Sequence, residues 1–409
     1  AAAPVPRTPV RNAALSTDSS LPTMALRVVH LTTVWLPQTQ TWIYTQVTGV
    51  PSQRIQCEVI CERVENLGQF ALPRLHRASA PPGVNMLLAA CRERLGFRVL
   101  WPGVARTARR LEPQVIHSHF GDAAWAHIGV AKSSGAAHIA SFYGYDASLL
   151  ARRTRWRKRL RELFLAVDLI LCEGPHMART LAGLGCPATK LRVHHLGVCL
   201  ERLAYRPRRW QPGEPLKVLI AATFTEKKGI PFALRALGRL RGRLDLQVTV
   251  VGDARDRAEH MEQKREIARA ISESGLQDVV RMAGFQSHAE MIREAYAHHL
   301  FLSPSVTAAS GDTEGGAPVS IAEMAATGML VISSWHCDIP EMVIDGETGF
   351  LAPERDVSGI VECLRRAVGA PDRWPVLLDA ARRHIEKEFN ASTQGERLAG
   401  IYEQAARAS

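Results

Sequence analysis

Two stretches of the 409-residue chain combine charge, glycine and proline in ways that could do chemistry. In the first, Phe224-Thr225-Glu226-Lys227-Lys228-Gly229-Ile230-Pro231 follows a strand-like run at 217–222 and opens a helical pattern reaching residue 240. A strand-to-helix junction ending in Gly and Pro presents free amides and the positive end of a helix dipole to an anion. Lys228 adds a full charge beside them, which suits a diphosphate leaving group as its bond to carbon breaks. Two surface lysines ahead of a helix would look the same if nothing else pointed to a site.

The second stretch lies beyond Ser303-Pro304-Ser305 and reads Glu314-Gly315-Gly316-Ala317-Pro318-Val319-Ser320-Ile321-Ala322-Glu323. Pro318 suits the first turn of a helix and Gly328 its end. Gly315 and Gly316, lacking side chains, would let a ligand approach backbone amides closely. Glu314 is expected to point into a cleft, with Glu323 further along the helix. One carboxylate could accept hydrogen bonds from sugar hydroxyls and the other from a ribose diol. A capped helix with two solvated glutamates would explain the acids but not the paired glycines.

Other chemistry is excluded by what is missing. No GxGxxG fingerprint, GxxxxGK[ST] phosphate loop, HExxH or Asp-x-Asp pair occurs, which argues against hydride transfer and P-loop hydrolysis. The eight cysteines lack zinc spacing and disulfide-scaffold density, so reduced thiols are expected. His117 and His119 lie two apart in one strand-like run and so share a face. They read either as core residues or as a pair at a strand's carboxyl end, where α/β sheets bind ligands.

These residues need a framework to position them. At 409 residues two domains are the expectation, and a hydrophobic share of 46% with 22% charged residues is that of a globular chain. Strand-like runs at 26–33, 115–119, 138–142 and 168–172 alternate with helical stretches. A second set recurs at 217–222, 247–251, 279–283, 300–303 and 329–333. The pattern predicts an α/β chain of two doubly wound, Rossmann-like domains facing each other across a cleft. The expected divisions are a disordered leader at 1–23, a first domain at 24–205, a linker at 206–215, a second domain at 216–388 and a final helical segment at 389–409 that packs back towards the first domain.

A net charge of +11 predicts attraction to polyanions without choosing among them. No nucleic-acid-binding module is recognisable, and no specific nucleic-acid partner is expected. The densest basic block runs through Arg152, Arg153, Arg155, Arg157, Lys158, Arg159 and Arg161. On a helix, Trp156, Leu160, Leu163 and Phe164 would share one face, the pattern of a helix lying on an anionic membrane surface or of a solvated helix in a basic protein.

The order Lys228-Gly229, Ser303-Pro304-Ser305, Glu314 through Glu323, Asp338-Ile339-Pro340-Glu341 and Asp345-Gly346-Glu347-Thr348-Gly349 resembles the family-4 retaining glycosyltransferases of the GT-B fold. Thr41-Trp42-Ile43-Tyr44-Thr45-Gln46, His117-Ser118-His119-Phe120 and Phe142-Tyr143-Gly144-Tyr145-Asp146 look like stretches of members that build bacterial exopolysaccharide and colanic acid. The resemblance implies hexose transfer from a nucleotide diphosphate sugar, UDP favoured over GDP, to a hydroxyl of a glycan or lipid-linked oligosaccharide. It implies no metal and no required cofactor, and a cytoplasmic protein, peripheral on the inner face of the membrane.

By the same resemblance Lys228 binds the donor diphosphate, Glu314 the transferred sugar and Glu323 the ribose. Thr223, Gly315, Gly316, Ala317 and Pro318 complete the donor side. His119 lies at the sugar with His117 as its rival, and Thr41, Gly144 and Asp146 fall on the acceptor side. The chain departs from the family in two places. Ala222-Thr223 stands where Gly-Arg is usual, and Glu314 to Glu323 is one residue longer than the usual spacing. Those departures motivate the alternative of a catalytically weak sugar-nucleotide-binding partner in a glycan assembly complex.

Overall fold

The computed structural model describes residues 25–37, 40–98 and 100–408, the Glu93 side chain excepted; the expected leader at 1–23 lies outside them. The first half contributes strands β1 (Leu26–Trp35), β2 (Ile55–Val64), β3 (Leu75–Arg77), β4 (Val115–His119), β5 (Ala137–Ser141), β6 (Leu169–Cys172) and β7 (Leu191–Val193). The second contributes β8 (Leu216–Ala221), β9 (Leu246–Val251), β10 (Val280–Gly284), β11 (Leu300–Leu302), β12 (Leu330–Ser334) and β13 (Phe350–Ala352). Each half is one parallel sheet, ordered β3-β2-β1-β4-β5-β6-β7 and β10-β9-β8-β11-β12-β13. This is the expected pair of doubly wound domains.

Nine of these strands form where the reading placed them, because parallel strands are buried on both faces and appear as continuous apolar runs; β2, β3, β7 and β13 were not expected. Val115 to His119 and Ala137 to Ser141 are buried at every position. Short crossovers then fix the order, since the first strand of each half pairs with both its second and fourth: Val28 is in register with Cys57 and Val115, and Leu219 with Thr249 and Phe301. The chain reverses direction in the sheet between β1 and β4 and again between β8 and β11, the positions where open α/β sheets leave a crevice.

The helix Ala391–Ala408 returns to the first sheet, placing Leu398, Ala399, Tyr402 and Ala405 against Val28, Val115, Ile139 and Leu171. Two crossing segments lie side by side, Val198 N donating to Phe389 O and Ala391 N to Val198 O. The polar stretch expected as a linker is strapped onto the second half. Arg206 N and Arg208 N donate to the carbonyls of Thr327 and Gly328, and the Arg208 guanidinium donates to those of Ala295, His298 and Thr327. One arginine thus satisfies carbonyls left over at two helix ends, which is why a charged residue is buried there.

The basic helix Thr154–Ala166 corrects an expectation. Trp156, Leu160, Leu163 and Phe164 do share a face, but that face is 7% exposed or less and packs into the first domain's core. It therefore has no free apolar face to lay on a membrane.

Candidate functional site

A cleft of about 450 Å³ opens between the halves, a size fit for a small-molecule ligand. From the second half it is lined by Thr223, Lys228, Arg255, Phe285, His288, Pro318 and Glu323, and from the first by Thr41, Trp42 and Asn66 among others. Local rules explain each placement. Lys228 ends a short 3₁₀ turn, Glu226–Lys228, and Gly229 follows in the left-handed conformation (φ 63°) with Pro231 in the first turn of the helix Ile230–Gly238. A Cβ on Gly229 would fall onto the Pro304 carbonyl, so only glycine lets these two segments touch.

Lys228 Nζ lies 2.8–2.9 Å from both Glu314 carboxylate oxygens, and Ser305 Oγ donates to the same carboxylate at 2.9 Å. Burial opposes ionisation of Glu314, but Lys228 and Lys227 outweigh it and hold the carboxyl at about 2. The pair is a fixed charge unit, with Lys228 facing the cleft and Glu314 behind it. His336 Nε2 accepts from Glu314 N at 3.1 Å, and its Nδ1 is 2.7 Å from Glu354, so the Glu314 backbone is also held.

Glu323 sits in the helix Val319–Ala326, which begins after Pro318 as its N-cap, one residue later than expected. Its carboxylate is 2.7 Å from His288 Nε2. His288 opens a second helix whose capping box is complete, Ser287 Oγ accepting from Glu290 N and Glu290 from Ser287 N. The hydrogen bond to Glu323 raises the His288 pKa above the ordinary imidazole range.

Several expected residues lie elsewhere. Gly315 and Gly316 do not line the cleft: a Cβ on Gly315 would fall onto the Gly144 Cα, and one on Gly316 onto the Glu173 carboxylate. Their openness serves the contact between the halves, since Gly144 in turn abuts the Glu314 carbonyl. Ala317 is buried in the same contact region. Asp146 accepts from the amides of Gly121, Tyr143, Gly144 and Ala147 and organises that turn.

His117 and His119 are 0% exposed and belong to a polar network under the C-terminal helix. His119 bonds His30 at 3.0 Å and Tyr143 at 2.6 Å, while His117 bonds Tyr402 and Ser141, each at 2.7 Å. Burial, then the neighbouring histidines, holds both well below the ordinary imidazole range. With both its nitrogens engaged within the protein, His119 does not line the cleft where it was expected at the sugar.

Sequence reasoning missed Arg255, Phe285 and His288. All three follow strand ends of the second sheet, β9 and β10, so the rule that ligands meet strand carboxyl ends would have found them.

Comparison with known proteins agrees with this fold. Residues 39–202 match the model of "Glycosyltransferase Family 4" and residues 215–369 that of "Glycosyl transferases group 1". An amylovoran biosynthesis glycosyltransferase of Erwinia amylovora, AmsK, is 33% identical over 66% of this chain and 64% of its own length, just under two thirds. WcaL of Salmonella typhimurium, a glycosyltransferase assigned provisionally to colanic acid biosynthesis, is 29% identical over 81% and 80%. Among solved structures, HepE of Anabaena with UDP and glucose aligns with a TM-score of 0.74 at 15% identity, covering 93% of this chain and all of that one. A sucrose-phosphate synthase from Thermosynechococcus elongatus aligns at 0.75 and 16%, covering 94% and 100%.

Proposed function

Because this chain belongs to the group 1 and family 4 glycosyltransferases, we propose that it moves a hexose from a nucleotide diphosphate sugar to a hydroxyl of a glycan or lipid-linked oligosaccharide, with retention at the anomeric carbon. The observation that carries the reading is Lys228 at the cleft, locked to a buried, ionised Glu314 and backed by the amides of a Gly-Pro helix start. Such a preorganised cation stabilises charge that develops on a leaving diphosphate without reorganising at the moment of reaction.

In this reading the donor's diphosphate lies on Lys228 and its ribose diol on Glu323, whose orientation His288 maintains. Arg255, lining the same cleft, takes the place of the arginine that Thr223 replaces. Phe285, half exposed at the cleft, offers a face for the base. The anomeric carbon's bond to the phosphate oxygen breaks, a bond to the acceptor oxygen forms on the same face, and the acceptor proton goes to the departing phosphate. UDP-sugars are favoured because the Anabaena neighbour was crystallised with UDP and with UDP-glucose. The polysaccharide setting of AmsK and WcaL supports an exopolysaccharide or cell-surface acceptor. Among the described residues no helix is long and apolar enough to cross a membrane; in this reading a lipid-linked acceptor is met from a peripheral position on the inner face of the membrane.

Thermal shift against UDP-, GDP- and ADP-sugars tests the donor, since a ligand that binds only the native state raises its stability. A rise with one class, together with nucleotide diphosphate release when acceptor is added, is the expected result. A rise without any transfer to a panel of acceptors would instead identify a sugar-nucleotide-binding partner of an assembly complex. No shift with any of them would remove the donor reading.

A further inference from the structure

The helix Pro82–Ala90, Pro-Gly-Val-Asn-Met-Leu-Leu-Ala-Ala, is apolar at every position but one, yet none of its residues is buried. Met86 is 74% exposed and Leu87 63%, and the turn that continues the helix carries Leu95 at 65% and Phe97 at 58%. Scattered apolar side chains are ordinary on a protein surface, but this is one continuous segment, and exposed apolar patches mark contact sites.

The surroundings say what kind of contact. Segments 74–110 and 152–161 together carry fifteen arginines and lysines against one acidic residue. The two segments meet beside the apolar stretch, where Arg155 donates to the Arg94 carbonyl at 2.7 Å and Arg159 to the Arg92 carbonyl at 2.6 Å. Arg94, Arg98, Arg157, Lys158 and Arg161 are exposed around the apolar segment. A second copy would bring like charge to like charge across this face. Nucleic acid would satisfy the cations but leave the apolar side chains in water.

We propose that this face docks the protein on an anionic membrane surface. Met86, Leu87, Leu95 and Phe97 enter the boundary between headgroups and acyl chains, and the exposed Arg94, Arg98, Arg157, Lys158 and Arg161 pair with lipid phosphates. The inference rests on the peripheral placement proposed above and gives it a contact surface, while needing nothing from the cleft. It also reassigns the basic helix: its apolar face is buried in the core, and only its charges face the lipid.

Flotation of the full chain with vesicles tests it. Phosphatidylcholine vesicles should not carry the protein, while vesicles containing phosphatidylglycerol should. Affinity should fall about fivefold for each charge removed in Arg94→Gln or Arg157→Gln, and tenfold or more in the Leu87→Ser/Phe97→Ser double variant. Since these side chains are exposed, the thermal midpoint should hold. Equal binding to both vesicle types, or binding that these variants leave unchanged, would overturn the proposal. So would a dimer in light scattering that Leu87→Ser dissolves, which would assign the face to a second copy. Donor turnover on the same samples separates the two readings: vesicle binding without turnover removes the transferase and keeps the surface, and turnover without vesicle binding does the reverse.

Discussion

The two halves wind their sheets with the same beginning, third strand to second to first to fourth, and both gather polar side chains on the central strands or in the segments that follow them. In the second half that set, Thr223, Lys228 and Glu323, opens on the cleft. In the first half the set, His30, His117 and His119, is 0% exposed and closed under Tyr402 and Gln46. Equal topology therefore does not give equal access. A helix from the far end of the chain covers one set, and the other lies on a cleft that the first half lines from across it. Where water is excluded the imidazoles bond within the protein and burial holds their pKa values down, and where the cleft is open a lysine pairs with a buried carboxylate.

The comparison predicts opposite failures in the two places. Lys228→Ala should lower turnover by about 100-fold or more. Unchanged nucleotide diphosphate release in that variant would end the case for Lys228. His119→Ala should instead cost about 1–3 kcal/mol of stability, the penalty for leaving buried partners unsatisfied. Its donor KM should stay unchanged. Denaturant unfolding paired with kinetics separates these outcomes, and a His119→Ala protein of full stability and poor turnover would reverse the assignment of the two halves.

The smallest effect concerns the contact between them. Glu173 faces Gly316 from the other half, and burial, then Asp338, Asp146 and Glu314, raise its pKa well above the ordinary carboxylate range. The folded state then binds a proton that the unfolded state has released. Stability from this group is complete below the unfolded value of about 4.3 and declines as pH rises towards the folded value. Glu173→Gln, which keeps the shape of the side chain and removes its charge, should raise the thermal midpoint at pH 8 and match the wild type near pH 4. Parallel midpoints across that range would show that the carboxyl is not confined between the halves.

Much of this was legible in the residues. The long β-branched runs gave nine strands to within a residue or two, because a strand buried on both faces cannot hide its composition. Four strands were not read: the three-residue edge strands at Leu75–Arg77, Leu191–Val193 and Phe350–Ala352, too short to show a period, and the ten-residue Ile55–Val64, whose apolar run is interrupted by Glu58, Glu62 and Arg63. The final helix was expected in the last stretch of the chain and runs Ala391–Ala408.

The candidate site divides in the same way. Lys228 and Glu323 could be placed beforehand because their positions follow from local rules: a Gly-Pro helix start, and a helix that begins at Pro318. The sequence by itself determined the two-sheet architecture, the family resemblance and these locally set residues, since each depends on neighbours within a few positions along the chain. Only the tertiary structure decided that Gly315 and Gly316 serve the contact between the halves, that His119 is sealed in, and that the apolar face of Thr154–Ala166 belongs to the core while Pro82–Ala90 stays bare. Those outcomes depend on what arrives from far along the chain: Gly144 against Gly315, Tyr402 against His117, and Arg159 reaching back to Arg92. Burial is a property of such meetings, and spacing along the chain carries no record of them.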